Sequence, residues 1–373
     1  MTSPGPSALT FARAPRSVLV VVTRRIGDVL LATPVLSSIK AHWPDTLVDV
    51  LAFAGTEGLL EGHPAIRRIL TVPERPALRG HLRFARGLLR RYDLALSLVP
   101  GDRPTLYAWI AGRRRVGLLV ADRKSRWKRR LLDRWVAFDN ENTHTVRMHL
   151  ALLAAIGVPA VATVRPSWTA EDEALAERLL APLDEAPYAV LHPHPKFRYK
   201  MWTEQGWVEV GRWITAQGLR VVLTGGPGAD EREYVGRIAA EIPGAIDLAG
   251  RLSLGAVAAV LARAKAYAGP DTAVTHAAAA LGIPTVAVFG PSNPVKWGPW
   301  PAGHPVAENP WQRVGSQARA HVRLVQGAGA CVPCGFEGCG RHVESTSDCL
   351  TGMTPERVIT ALQEAIAERR TTR

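Results

Sequence analysis

The sequence predicts an α/β protein built from two Rossmann-like domains whose parallel sheets face a central cleft. Three observations carry this. Short apolar, β-branched runs alternate with helical stretches in both halves of the chain, the pattern of parallel strands joined by crossover helices. A strand runs through a glycine turn into a helix near residue 27, and a capped helix start follows another strand near residue 271, which places both at the ligand-facing strand ends of an open sheet. Finally, 373 residues exceed one compact core but suit two ordinary domains, and 47% apolar residues can fill both.

Taken in order, residues 1–15, rich in Pro, Ser and Ala, read as a disordered tail. Residues 16–168 form the first domain, with strands expected at 18–22, 47–52, 69–72 and 94–98. Residues 159–166 and the acidic helical stretch 170–180 read as a linker, after which Pro187 restarts the strand pattern. The second domain, 169–353, has strands expected at 188–191, 220–223, 245–248, 266–268 and 285–289. A closing helix follows over 354–373, with Pro355 in its first turn. Two such domains across a cleft suit a nucleotide-sugar enzyme.

No apolar run approaches the roughly 20 residues that span a bilayer, and residues 1–16 lack the apolar centre of a signal peptide, so a cytoplasmic protein is expected. The formal charge of +13 points to an acidic partner. Much of it is concentrated in Arg113, Arg114 and Arg115 and in the segment holding Arg123, Lys124, Arg126, Lys128, Arg129, Arg130 and Arg134. Trp127, Leu131 and Trp135 recur there at helical spacing, predicting a basic amphipathic helix that would lie on an anionic membrane or grip a phosphorylated substrate. A solvated face with inward-packed Trp residues has the same pattern. Nucleic acid is not the expected partner, because no helix-turn-helix spacing, RNP motif or zinc-finger pattern accompanies the charge.

Two segments carry chemistry. In GPDTAVTHAAAALGIPTVAVFGPSNPVKWGPW (269–300), Asp271 and Thr272 are natural N-cap residues and Gly282 ends the helix that follows. The free N–H groups and dipole of that helix start favour a phosphate, and Ala273 and Ala277 let a ligand approach the backbone. In 17–28 a strand runs into Arg24, Arg25, Ile26, Gly27 and Asp28, placing Asp28 either at a ligand crevice or as an ordinary helix cap. Absence of G-x-G-x-x-G and of G-x-x-x-x-G-K-[ST] argues against a Rossmann dehydrogenase or a P-loop protein.

The chain's four cysteines, Cys331, Cys334, Cys339 and Cys349, lie in one segment, 331–349. In a reducing compartment the C-x-x-C start favours a structural zinc or iron, with His342 able to replace one thiolate. Two disulfides or four free thiols are the alternatives.

The string RRIGDVLLATPVLSSIKAHWPDTLVDVL resembles the opening of the heptosyltransferases, glycosyltransferase family 9, and GRLSLGAVAAVLARAKAYAGPDTAVTHAAAALGIPTVAVFGPSNPVKWGPW resembles their nucleotide-sugar region. The resemblance runs from about residue 17 to about residue 350. It implies a GT-B fold, with an N-terminal acceptor domain and a C-terminal donor domain. It also implies an ADP-heptose donor and an inverting transfer, requiring no cofactor, onto the inner core of lipopolysaccharide or a lipid A precursor. The basic segments 113–115 and 123–134 are expected to hold lipid A or core phosphates at the inner leaflet of the cytoplasmic membrane, with the protein bound peripherally to its anionic surface.

Carried over residue by residue, Asp28 matches the family's catalytic base and Lys200, in YKMWTEQGW, the lysine near the donor phosphates. Asp271, Thr272, Ala273 and His276 match the D-T-G-x-x-H donor motif, with Ala273 in place of its glycine. Thr224, Gly225, Gly226 and Pro227 match the G-G-P turn, after which Asp230 or Glu231 would reach the ribose. HPHP at 192–195 departs from the usual N-P-G-A-like turn, and Lys196 and Arg198 lie where they could assist Lys200. Arg25, Arg113, Arg114, Arg126, Arg129 and Arg130 are the expected acceptor contacts. Family members that modify autotransporter proteins and carry cysteine-ligated iron offer a second acceptor class, and a non-enzymatic basic nucleic-acid-binding protein is the reading from another class.

Overall fold

The computed structural model describes residues 8–75 and 78–371. The chain forms two compact units, Met1–Ser167 with Pro305–Glu308, and Trp168–His304 with Asn309–Arg373.

The first unit contains β1 (Ser17–Val21), α1 (Ile26–Leu30), α2 (Thr33–His42), β2 (Leu47–Phe53), β3 (Arg68–Val72), α3 (Leu78–Leu88), β4 (Tyr92–Ser97), α4 (Asp102–Ala111), β5 (Gly112–Leu119), α5 (Arg126–Arg129), β6 (Arg134–Ala137) and α6 (Thr145–Ala154). Its strands form one parallel sheet in the order β3-β2-β1-β4-β5-β6. β1 lies inside the sheet with helices on both faces, which is why Val18 to Val22 are fully buried and read as an unbroken apolar run. The order reverses between β1 and β4, so α1 and α4 begin on either side of the topological switch point where such sheets bind ligands.

One buried charge locks this sheet. Asp49 accepts hydrogen bonds from Arg67 (2.9 and 2.7 Å), Arg68 (3.0 Å) and the Tyr92 hydroxyl (2.7 Å), tying β2 to β3 and β4. Burial pushes its carboxyl up, and the bonds from Arg67, Tyr92 and Arg68 more than reverse that.

The second unit contains α7 (Ala170–Leu180), β7 (Tyr188–Leu191), α8 (Glu204–Ala216), β8 (Arg220–Leu223), α9 (Ala229–Ala240), β9 (Ile246–Asp247), α10 (Leu254–Arg263), β10 (Ala266–Pro270), α11 (Ala273–Ala280), β11 (Thr285–Phe289), α12 (Pro294–Trp297), β12 (Gln317–Arg319), β13 (Val322–Gln326), α13 (Asp348–Thr351) and α14 (Pro355–Thr371). The sheet order is β12-β13-β11-β10-β7-β8-β9, parallel except for the antiparallel edge pair β12–β13. The closing helix α14 packs back onto this sheet, burying Val358, Leu362 and Ala365.

Several expectations need correction. Residues 1–7 of the expected tail lie outside the described residues, but 8–15 pack down: Leu9 N–H donates to Ala155 O (2.8 Å), Phe11 meets Trp43 edge-on, and Pro15 O accepts from Thr46 Oγ1 (2.7 Å). The acidic stretch 170–180 is no linker. It is α7, started by a Thr169–Asp172 capping box and packed along α10. The long basic helix over 123–134 does not form. Only Arg126–Arg129 is helical, and Trp135 lies in β6, where Arg134 to Ala137 pair with β5 at the sheet edge. Among the described residues no helix is long and apolar enough to cross a membrane.

Candidate functional site

In the second unit the site forms where β10 ends and α11 begins. Thr272, extended at φ −137°, caps α11 by accepting from Thr275 N–H (3.4 Å), and Asp271 precedes the cap. Ala273 and Val274 therefore keep N–H groups with no intrahelical carbonyl. Thr275 Oγ1 donates to Pro270 O (2.5 Å) and meets the buried Tyr267 hydroxyl at 2.8 Å, holding strand end and helix start together. Gly269 is required here, since a Cβ would lie 2.1 Å from the Tyr267 hydroxyl oxygen.

Lys200, on the turn after β7, reaches this point and places Nζ 2.5 Å from Asp271 Oδ2. Burial pushes the Asp271 carboxyl up, but the nearby Lys200 and His276 and a hydrogen bond from Ser292 hold it below the usual carboxylate range. His276, one turn into α11, is buried, and burial drives its pKa down to about 4 against the pull of Asp271. It is a neutral imidazole at ordinary pH, with Nδ1 lacking a hydrogen-bond partner among the described residues. The sequence-derived residues Lys200, Asp271, Thr272, Ala273 and His276 thus meet at one helix start. A cation, open amides and a neutral imidazole can together bind a diphosphate.

The second turn lies at the end of β8. Glu231, in the first turn of α9, accepts from Gly226 N–H (2.6 Å), whereas Asp230 is exposed, so Glu231 is the carboxylate turned toward the Gly225–Gly226 turn. Thr224 Oγ1 is 3.0 Å from His192 Nδ1, joining the ends of β7 and β8. His194 packs edge-on against Tyr234 and lies 3.8 Å from Glu231. Both histidines are held neutral chiefly by burial, His192 at about 4. Their role at this edge was not legible in the sequence, where HPHP signalled only an altered loop. Lys196 and Arg198 are exposed on the same turn.

In the first unit Asp28 lies in α1, directly after β1 at the switch point. Its side chain is mostly buried, with Arg24 Nε at 3.6 Å. Thr23 Oγ1 at the end of β1 and His63 Nε2 in the loop after β2 are buried without a partner among the described residues. Of the expected acceptor arginines, Arg25 precedes α1 as its N-cap residue, and Arg113 and Arg114 are exposed at the start of β5. Arg126 and Arg130 are exposed too, but Arg129 stacks on Trp135 at 4.4 Å, and Lys128 is buried with Asp102 at 2.9 Å.

Cys331, Cys334, Cys339 and Cys349 form no disulfide, and among the described residues no group of three or more His, Cys, Asp or Glu side chains is arranged to hold a metal. Asp348 N–H donates to Cys339 Sγ at 3.4 Å.

Two Rossmann-like sheets, one leading into the helix start where Lys200, Asp271 and His276 meet and the other carrying Asp28 at its switch point, make up a GT-B fold. The profile of glycosyltransferase family 9 (heptosyltransferase) matches residues 81–316, and the chain belongs to that family. Lipopolysaccharide heptosyltransferase 1 of Pseudomonas aeruginosa is 29% identical over 375 residues, covering 93% of this chain and 97% of its own. Lipopolysaccharide heptosyltransferase 3 of Escherichia coli is 28% identical over 287 residues, covering 74% and 83%. Among solved structures, the ADP-heptose lipopolysaccharide heptosyltransferase II of E. coli superposes with a TM-score of 0.73 at 21% identity, covering 95% of this chain and 99% of that one. The chain is thus a glycosyltransferase, and the reading as a non-enzymatic nucleic-acid-binding protein is set aside.

Proposed function

We propose that this enzyme moves heptose from ADP-heptose onto the inner core of lipopolysaccharide in a single inverting displacement. The observation that carries the reading is the convergence of Lys200, Asp271, Thr272 and His276 at the start of α11. There the leaving diphosphate would gain charge beside a cation, two open amides and a neutral imidazole, and no metal is needed to stabilise it. Glu231 would take the ribose, and Thr224 and the Gly225–Gly226 turn would border the adenosine. Asp28 would accept the proton of the acceptor hydroxyl as that oxygen attacks the anomeric carbon from the face opposite the nucleotide. Arg25, Arg113, Arg114, Arg126 and Arg130 would engage core or lipid A phosphates, with Arg129 serving mainly to hold Trp135. The working location is the inner leaflet of the cytoplasmic membrane.

The test is transfer from ADP-heptose to heptose-deficient lipopolysaccharide, with Asp28→Asn beside the wild type and with and without chelator. Loss of a general base should lower kcat by about 10²- to 10⁴-fold while donor binding persists, and chelator should change nothing. Near-normal transfer by Asp28→Asn removes the base assignment. Absence of transfer by a wild type that binds ADP removes the acceptor assignment.

A further inference from the structure

We infer that the outer faces of α3 and α4 form the surface by which the first unit docks on an anionic lipid bilayer. The sequence directed attention to the basic segment 123–134, where Lys128 pairs with Asp102 and Arg129 stacks on Trp135, and where the exposed Arg123, Lys124, Arg126 and Arg130 surround one exposed large apolar side chain, Trp127. The better surface lies elsewhere.

α3 and α4 pack side by side. Phe84 meets Tyr107 edge-on at 5.9 Å, both helices contribute to one core cluster, and Arg90 N–H at the end of α3 donates to Ile110 O of α4 (2.9 Å). Their inner faces are therefore satisfied. Their outer faces carry four large apolar side chains in water: Leu82 at 60% exposure, Leu89 at 61%, Leu106 at 36% and Trp109 at 40%. Leu82 and Leu89 are two turns apart along one stripe, with Leu89 just past the helix end, and Leu106 and Trp109 are one turn apart on α4.

The charge around the α3 anchors is basic, whereas on α4 Asp102, one turn before Leu106, is exposed and paired with Lys128. Residues 75–92 contain six arginines and no Asp or Glu, and Arg83, Arg86, Arg90 and Arg91 are exposed among the leucines. Arg113 and Arg114 follow α4 directly and are exposed as well. Between β3 and α3 a pocket of about 380 Å³, lined by Arg68, Leu70, Arg83, Phe84, Arg91 and Tyr92, offers guanidinium groups beside apolar walls, as a lipid phosphate with its acyl stem requires.

Separated apolar anchors set in a field of arginine fit a bilayer surface, where Leu and Trp enter the interface and the guanidinium groups stay with the headgroups. Nucleic acid would leave Leu82, Leu89 and Leu106 without a partner.

The inference rests on the proposed acceptor being membrane-embedded, but its test needs neither donor nor acceptor. The wild-type chain is sedimented with phosphatidylethanolamine vesicles prepared with and without phosphatidylglycerol. Binding should require phosphatidylglycerol and weaken with salt. Arg83→Gln/Arg86→Gln/Arg90→Gln/Arg91→Gln should weaken it by about ten-fold or more, and Leu82→Gln/Leu89→Gln/Leu106→Gln/Trp109→Gln comparably. The corresponding four-fold Arg→Lys variant should retain most of the binding, and wild-type Trp fluorescence should shift to the blue with vesicles in a manner lost in Trp109→Phe. All altered side chains are exposed, and circular dichroism monitors folding. Binding that survives both Gln sets, or that is lost instead in Arg126→Gln/Arg130→Gln, overturns the inference, as does absence of wild-type binding. Transfer to a delipidated acceptor should be unchanged in the α3 and α4 variants, so failure of docking and failure of the proposed reaction are read separately.

Discussion

Lys200 Nζ and Asp271 Oδ2 are 2.5 Å apart although the residues are separated by 71 positions in the chain. The pair joins the turn after β7 to the start of α11, with the Asp271 side chain 8% exposed and that of Lys200 21%. Breaking a buried pair from one side leaves an uncompensated charge, so Lys200→Met should lower stability by about 3 kcal/mol, and Lys200→Met/Asp271→Asn should regain most of it. Urea unfolding of the three proteins decides the matter. A double variant no more stable than Lys200→Met would mean that the pair does not act as a unit.

Three buried histidines give stability a definite pH dependence. Burial lowers His63, His192 and His276 to about 4, with Arg165 adding to the effect at His63. The unfolded chain, with histidines near 6.5, binds more protons between about pH 6.5 and pH 4. Stability is therefore full above that window and falls through it as pH drops, by up to about 1.4 kcal/mol per pH unit for each histidine. Unfolding at several pH values should show this slope. His63→Asn, whose Oδ1 can still accept from Ala65 N–H as His63 Nδ1 does at 3.2 Å, should make the slope shallower. A flat profile between pH 7 and 5 would contradict the prediction.

Two glycines at the nucleotide edge should fail differently. A Cβ on Gly226 would come within 2.7 Å of Glu231 Oε2, the far end of a flexible side chain that can yield. Gly226→Ala should therefore fold with near-normal stability but displace the carboxylate that holds Gly226 N–H, raising donor KM about ten-fold with little change in kcat. A Cβ on Gly269 would meet the fully buried Tyr267 hydroxyl at 2.1 Å, so Gly269→Ala should cost about 2 kcal/mol or more in unfolding experiments. Equal effects of both substitutions on stability would refute the distinction.

Thiol reactivity should follow burial along the cysteine segment. Cys331 and Cys339 are exposed and Cys334 is half-buried. Burial, with the three neighbouring thiols adding to it, pushes Cys349 up to about 11. Mass mapping after brief maleimide treatment near neutral pH should find Cys331 and Cys339 modified first and Cys349 last. Simultaneous protection of all four cysteines would contradict the free-thiol state.

Local residues made much of the fold and donor edge legible. The β-branched run at 285–289 reads as a buried strand, and Thr272 followed by small residues and then Gly282 marks a capped helix, because capping and left-handed C-termination depend on chemistry within a few positions. What stayed hidden depended on partners distant in sequence. Residues 123–135 have helical spacing of Trp and Leu, yet β5 claims 134–137 as a strand. The stretch 170–180 reads as linker until α10 packs against it. Burial against β8 and α9 lowers the pKa of both His192 and His194, an environment no local stretch of sequence displays.

The sequence by itself determined the strand–helix alternation, the helix start at Asp271–Thr272, the acid after β1 and the basic surplus, because periodicity, caps and composition are local properties of the chain. Only the tertiary structure decided that Lys200 meets Asp271, that Glu231 and not Asp230 turns to the glycine turn, that Asp348 N–H donates to Cys339 Sγ, and which arginines remain in water around exposed leucines. Those outcomes depend on sheet order and helix packing between residues tens to hundreds of positions apart, where desolvation and pairing are settled by neighbours that no sequence window contains.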